Sequence, residues 1–587
     1  MKAPRQFSQL TEHRKLLILS LLTGLLAGLA SSLLVGVIEL IRNMVAGGAD
    51  SGHQWLYLVL PGAGMLISLL LLRYVVRDDI GHGVTKALLA VSRGESKIKP
   101  HNTWTSLLTS SVTIGLGGSV GAEAPIVYTG AAIGSNLGRV SGLSYRGITI
   151  LLGCGAAGAV AGIFKAPLAG VLFVMEILLF NISMNSMLPL LISSISAAVV
   201  AYIFRGQAPM FAADFVDFRM ANIPYYLILG LVCAACALYF TRTTLWMEEK
   251  LKKFRSPYLK WALCAAGLGL LIFLFPPLYG QGYDSLSLLL SGGEAEVEGG
   301  TVLSFLFRSP WGVPVFFALV FLCKVVAMTL TNAGGGVGGT FGPTLFAGAI
   351  AGFVVARVVN LALAGAGVSV PEQNFVLVGM AALMASVMQA PMTAIFLIAE
   401  ISGGYNLLIP LLLTSTVSFG VVRIFERYSI YTKRIAMSGD LLTHDNDQAV
   451  VALLDTRSLV RDKYPRIQDT ATFAEIAKIT TESTAAVFPV LDSKGRFEGL
   501  IDMDTFRRYL TDPERNAGLH AYNVMEQPQA YVYADEKMAS VLHKFDATGA
   551  WRIPVVEKDR TYLGFISKSR ILMAYRSELQ AISVGDE

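Results

Sequence analysis

The sequence predicts an all-α polytopic membrane protein built from two similar halves with broken helices, followed by a polar α/β region. Three observations carry this. Long apolar runs recur as far as about Val422. A glycine-rich break, GGSVGAEAP (117–125), returns as GGGVGGTFGP (334–343). Beyond Ser438–Asp440 the composition turns polar and charged and carries a repeat of its own.

The first apolar runs are Leu16–Ile41 and Trp55–Leu72. Between Leu151 and Phe204 the only charges are Lys165 and Glu176, and between Val376 and Val422 the only one is Glu400. Such runs can cross the hydrocarbon core, which takes about 20 residues per helix. Other segments are shorter and broken by glycine. They suit half-spanning helices, whose exposed backbone must be covered by protein or water. The formal charge of +5 gives no reason to expect a nucleic-acid partner. Arg5, Arg14 and Lys15 precede the first run, and no small-residue cleavage site follows it. This predicts a cytoplasmic start rather than a cleaved signal peptide. All five cysteines, Cys154, Cys233, Cys236, Cys264 and Cys323, lie in apolar segments. The lone CxxC, Cys233–Cys236, has no second pair, which argues against zinc or redox chemistry.

In the glycine-rich breaks one fixed offset pairs Gly117 with Gly335, Gly121 with Gly339 and Pro125 with Pro343. Glu123 then falls opposite Phe341. A carboxylate at membrane depth is expensive and marks a functional candidate. Standing just before the apolar run Ala124–Ile133, Glu123 would sit at the positive end of a helix. Ionised, it would occupy the place of a permeating anion; protonated, it could leave. One group would thus gate a path and also carry a proton. The plain structural alternative is a carboxylate satisfied by backbone donors at a helix start. A second match joins 153–177 to 377–401, pairing Gly155 with Gly379, Pro167 with Pro391 and Glu176 with Glu400. Two such halves fit either an inverted or a parallel repeat.

The tail, residues 441–587, repeats FPVLDSKGRFEGLIDMD (488–504) as IPVVEKDRTYLGFISKS (553–569). Each copy reads as strand, turn, strand and helix, with an amphipathic helix upstream near Phe473–Ile479 and Lys537–Phe545. The copies span about 449–512 and about 521–580, and resemble a pair of CBS domains.

The membrane part, residues 1–440, resembles the CLC family of chloride channels and proton/chloride antiporters from about Glu12 to Ser438. The family's GREGP motif corresponds to GAEAP (121–125), with Ala122 and Ala124 departing from it. GTFGP (339–343) matches GxFxP in full, APLAG stands at 166–170, and the tyrosine before the last membrane helix is Tyr431. The resemblance implies that Glu123 is the external gate. It also implies that the Thr340 and Phe341 amides and the Tyr431 hydroxyl hold the central anion, with Tyr428 as a competitor for the tyrosine role. The first filter motif, GSGIP, becomes GHGVT (81–85), so His82 replaces the filter serine and Thr85 the proline. His82 then either donates a ring N–H to the anion, more strongly when protonated, or sits in a polar loop. The internal glutamate of the antiporters falls on Ile177. Glu176 is its neighbour, about 100° round the helix, and suits a structural contact.

An aliphatic residue at that place resembles the channel branch. The antiporter alternative stays open, because water could deliver protons to Glu123. The resemblance thus implies a transport protein, not an enzyme. Chloride is its substrate, with protons as a second one in the antiporter reading, and no cofactor is required. It further implies a homodimer with one pore per subunit, in the inner (plasma) membrane of a bacterial-type cell, with the CBS pair in the cytosol. Cation transport would want an acidic, carbonyl-lined path instead. An adenine nucleotide on the CBS pair is one reading of the tail. The two ribose-binding acids of the pattern are Thr505 and Arg570 here, with Asp502 and Ser567 at the phosphate positions, so a packing module without ligand is the other.

Overall fold

The computed structural model describes residues 11–49, 56–78, 80–92, 96–178, 184–211, 216–291, 301–437 and 454–583. It forms two compact units, Met1–Leu441 and Leu442–Glu587. The composition change at Ser438–Asp440, Arg5 and the expected start of the first tail copy near 449 lie outside the described residues.

In the membrane unit, nine helices among the described residues are long and apolar enough to cross a membrane. Shorter apolar helices, Gly83–Ser92, Pro167–Ile177, Glu372–Met388 and Pro391–Ile401, lie between them. The first apolar run belongs to a single helix, Glu12–Ala49. The two halves then use the same order of elements. Thr105–Gly115, Glu123–Val140, Tyr145–Phe164, Pro167–Ile177 and Met184–Arg205 are followed in the second half by Gly312–Ala333, Phe341–Ala362, Glu372–Met388, Pro391–Ile401 and Leu408–Phe425. Even the chain reversal is shared. A left-handed residue, Lys165 (φ 58°) or Gln389 (φ 53°), ends one helix, and a proline, Pro167 or Pro391, opens the next. Proline suits that position because its missing N–H has no partner in a first turn.

The glycine-rich breaks show how the halves are related. Gly117 and Gly335 have φ of 100° and 102°, a conformation that only glycine enters without strain. Gly121 and Gly339 then form an antiparallel bridge, exchanging both N–H···O bonds at 3.0 and 2.7 Å. Ser119 N donates to Thr331 Oγ1 at 3.2 Å, and its mate Val337 N donates to Thr113 Oγ1 at 3.0 Å. Equivalent residues that exchange equivalent bonds are related by a local two-fold axis.

The second repeat is swapped in the same way. Glu176 accepts from the amides of Met392 and Thr393 at 3.0 and 2.7 Å and from the Thr393 hydroxyl at 2.7 Å. Glu400 accepts from the amides of Leu168 and Ala169 at 3.1 and 2.9 Å. Each carboxylate caps the N-terminus of the other half's short helix, where four N–H groups lack helical partners. Glu176 therefore has the structural contact expected of it.

The tail contains two three-stranded sheets of one topology. In the first, β1 (Ile467–Gln468) pairs parallel with β2 (Val487–Leu491), which pairs antiparallel with β3 (Phe497–Asp502). In the second, β4 (Val532–Tyr533), β5 (Arg552–Val556) and β6 (Tyr562–Ser567) repeat this. Val490 faces Gly499 and Val555 faces Gly564, so the two copies share one register. The upstream helices are Phe473–Glu482 and Met538–Thr548. The first has a capping box in which Thr472 and Glu475 satisfy each other's backbone, and this holds the Glu475 carboxyl below its ordinary range. The copies meet through Phe497 and Tyr562, whose rings stack with centroids 5.9 Å apart. The Phe497 amide donates to Arg560 O, and the Tyr562 amide to Gly495 O.

Candidate functional site

Four helix N-termini converge beside the Gly121–Gly339 bridge. Helix Glu123–Val140 and helix Phe341–Ala362 leave the two glycine-rich breaks directly. Helix Gly83–Ser92 begins against the first of them, so closely that a Cβ on Gly83 would run into the Ala124 carbonyl. Helix Ile430–Met437 arrives with Tyr431, whose Oη lies 3.4 Å from Thr340 Oγ1. Each N-terminus carries unpaired N–H groups and a partial positive charge, and together they form an anion-attracting focus.

Glu123 occupies this focus. Its residue is only 1% exposed. Oε2 accepts from the Gly342 amide at 3.1 Å and Oε1 from the Tyr283 hydroxyl at 2.5 Å. The carboxylate thus crosses the two-fold and takes an amide from the opposite half. Phe341, its repeat mate, points instead into apolar packing, with its ring 5.4 Å from Phe164 and 6.2 Å from Phe173.

Of the residues singled out from the sequence, Glu123, Thr340, Phe341 and Tyr431 are brought together. Tyr431 is 1% exposed beside Thr340, while Tyr428 lies against the Arg427 guanidinium instead. His82 turns its ring toward Glu248. Its Nε2 is 3.3 Å from Glu248 Oε1, and Glu248 also holds Arg434 at 2.6 Å. This network ties the GHGVT segment to the Tyr431 helix through helix Ile223–Lys252. Two residues that no sequence motif singles out also belong here. Tyr283 is one. The other is Lys324, which is fully buried and donates to Ser119 Oγ at 2.9 Å. Lys324 is the only charge in Gly312–Ala333, and that rarity is the signal that could have found it.

Two cavities approach the focus. One, of about 470 Å³, is lined by His82, Glu248, Asn332, Gly335, Arg434 and Lys260 among others. The second, of about 570 Å³, is lined by Ala122, Tyr283, Arg42, Lys165, Arg205 and Ile114 among others. Helix Pro257–Leu274 runs between them. Its first turn, with Pro257 and Lys260, lines the first cavity, and the chain leaving its far end, Tyr279–Asp284, lines the second. At 1.5 Å per residue that helix is about 27 Å long, so the cavities open on opposite faces of the membrane. Asn332 lines one and its repeat mate Ile114 the other. The two-fold therefore exchanges the faces, and the repeat is inverted. This resolves what the sequence left open.

Converging helix ends around a buried carboxylate, between cavities on opposite faces, define a membrane anion-transport fold of the inverted-repeat class. The family model described as voltage gated chloride channel matches residues 63–423, and a CBS domain model matches 521–577. The chain belongs to the voltage-gated chloride channel family; it is an integral membrane protein of CLC anion transport, not an enzyme, and carries a C-terminal CBS domain.

Its relatives divide between two modes. The voltage-gated ClC-type chloride channel ClcB of Salmonella typhimurium is 27% identical over 72% of this chain and 99% of that one. The H(+)/Cl(-) exchange transporter ClcA of Vibrio cholerae is 27% identical over 68% of this chain and 84% of that one. A crystal structure of a eukaryotic CLC transporter superposes with a TM-score of 0.58 at 18% identity, covering 94% of this chain and 97% of that one. It shares the fold.

Proposed function

We propose that the protein moves chloride passively, in the manner of a CLC channel, along a path that Glu123 closes and opens. The observation that carries this reading is the position of the carboxylate. It lies at the focus of the helix N-termini, bonded to the Gly342 amide, where a permeating anion would find its donors. An ionised Glu123 competes with chloride for that place. A protonated one loses its charge, weakens its hold on the amide and vacates it. The Thr340 and Phe341 amides and the Tyr431 hydroxyl then serve the anion on the side of the first cavity.

The side of each cavity follows from charge. Arg14 and Lys15 begin the first helix, which reaches the second cavity at Val35–Arg42. Lys252 and Lys260 line the first cavity, with Lys253 and Arg255 in the connection between their helices. Basic residues at that face support assigning it to the cytoplasm. The second cavity is then external and Glu123 an external gate, and the tail follows Arg434 on the cytosolic side of a bacterial-type plasma membrane. The family resemblance adds a homodimer with one path per subunit. At the candidate nucleotide positions of the tail, Asp502 accepts from Asp504 N at 2.8 Å and Ser567 Oγ from Arg570 N at 3.4 Å. These side chains serve as helix caps, which favours a packing module without an adenine nucleotide.

The second reading, proton-coupled antiport, is favoured by the exchange transporter among the relatives. The buried aliphatic Ile177 at the internal proton position weighs against it. Purified protein in vesicles, followed for chloride and pH together under an imposed chloride gradient, separates the two. Chloride should run down its gradient with little uphill proton movement. Proton pumping at a fixed ratio would establish antiport.

A further inference from the structure

Glu123 is held from outside its own half. Tyr283 donates its hydroxyl to Glu123 Oε1 at 2.5 Å. It comes directly off a tight turn in which Gly280 and Gly282 have φ of 59° and 88°. That turn is clamped to the first glycine-rich break. Gly280 N donates to Gly117 O at 3.1 Å, and Ser119 Oγ donates to Leu278 O at 2.6 Å.

Lys324 stands at the centre of the clamp. Its Nζ donates to Ser119 Oγ at 2.9 Å, to Gly280 O at 3.1 Å and to Gln281 O at 3.4 Å, and lies 4.9 Å from the Phe346 ring. A fully buried ammonium is costly unless it is paired. The hydroxyl and the two carbonyls that it bonds are neutral, and the buried carboxylate that follows the same glycine-rich break is Glu123. Ala122, next to the carboxylate in sequence, carries no charge. The buried cation beside this break is therefore supplied by a helix distant in sequence.

We propose that Lys324 and Tyr283 are a positioning pair for the gate. Lys324 pins the 278–283 turn to the glycine-rich break and supplies a counter-charge, and Tyr283 latches the ionised carboxylate with its hydroxyl. This rests on the reading of Glu123 as the gate. A hydroxyl bonds an ionised carboxylate more strongly than a neutral acid, so the latch grips the closed state and loosens when a proton arrives. Tyr283 also lines the external cavity, which puts the latch on the anion's route. The other titratable or charged groups around this end of the path are Tyr431 on the inner side and Glu39, Arg42, Lys165, Arg205, Tyr279 and Asp284 along the cavity. Arg42 and Asp284 pair with each other.

The test is chloride efflux from vesicles as a function of external pH, for wild type, Tyr283→Phe, Lys324→Gln and Glu123→Gln. Removing the hydroxyl or the counter-charge favours the protonated, open gate, so the midpoint of the pH profile should move to higher pH. A hydrogen bond to a charged group corresponds to a shift of about one to two pH units. Lys324→Gln keeps a donor while removing the charge. Should that variant fail to fold, Tyr283→Phe, which keeps the ring, decides alone. A wild-type midpoint in Tyr283→Phe, with a flat profile in Glu123→Gln, would overturn the positioning pair and leave the gate intact. A wild-type profile in Glu123→Gln would overturn the gate itself.

Discussion

The two halves of the membrane unit build the same loop and differ at the residue that matters. Gly117 and Gly335 share one backbone conformation, and Gly121 and Gly339 bond to each other across the two-fold. Two positions further on, one half places Glu123 and the other Phe341. Both side chains cross the axis, the carboxylate to the Gly342 amide and the ring to Phe164 and Phe173 of the first half. The scaffold is therefore nearly symmetric and the chemistry is not. An inverted repeat supplies helix ends from both faces, and one substituted position sets where a carboxylate stands among them.

The strongest way to break the comparison is to attack what the halves share. Gly130 and Gly155 cross in the first half and Gly348 and Gly379 in the second, each so close that a Cβ would run into its partner's carbonyl. Such contacts let helices approach in lipid. Gly155→Val and Gly379→Val should each destabilise the protein by more than about 3 kcal/mol, read as loss of monodisperse protein in detergent. A large loss in one half with tolerance in the other would show that the halves are packed differently.

A smaller effect separates the two cross-caps. Glu176 accepts three hydrogen bonds and Glu400 two. Each Glu→Ala should cost about 1–3 kcal/mol, with Glu176→Ala the worse by about 1 kcal/mol. Thermal unfolding in detergent checks the order, and chloride flux in folded protein should persist in both. His82→Ser should do less. With Nε2 directed at Glu248, protonation strengthens an ion pair rather than adding a free charge beside the path. The change in chloride affinity between about pH 5.5 and 8, measured in a Glu123→Gln background, should stay below about fivefold. In the tail, millimolar ATP should leave the unfolding temperature unchanged, because the candidate ligand positions cap helices. A rise of several degrees would show binding.

Much of this architecture is legible in the sequence, because local chemistry specifies it. Positive-φ glycines, prolines opening helices and the strand glycines Gly499 and Gly564 mark positions with few alternatives, so their spacing aligns both repeats. Glu123, Thr340 and Tyr431 follow from motifs at those positions. Tyr283 and Lys324 do not, since nothing local links a turn after helix Pro257–Leu274 to a carboxylate in the first half; only the packed topology joins them. The GHGVT motif alone points His82 into the filter. Its contact with Glu248 depends on helix Ile223–Lys252, whose approach no local pattern encodes.

The central claim is that the Glu123 carboxylate closes the anion path. Chloride efflux from vesicles containing wild type or Glu123→Gln, measured across external pH, tests it most directly. Wild-type flux should rise as the external solution is acidified, and Glu123→Gln flux should be high and independent of pH. A Glu123→Gln protein that keeps the wild-type pH profile would contradict the claim and return Glu123 to the role of a buried structural carboxylate.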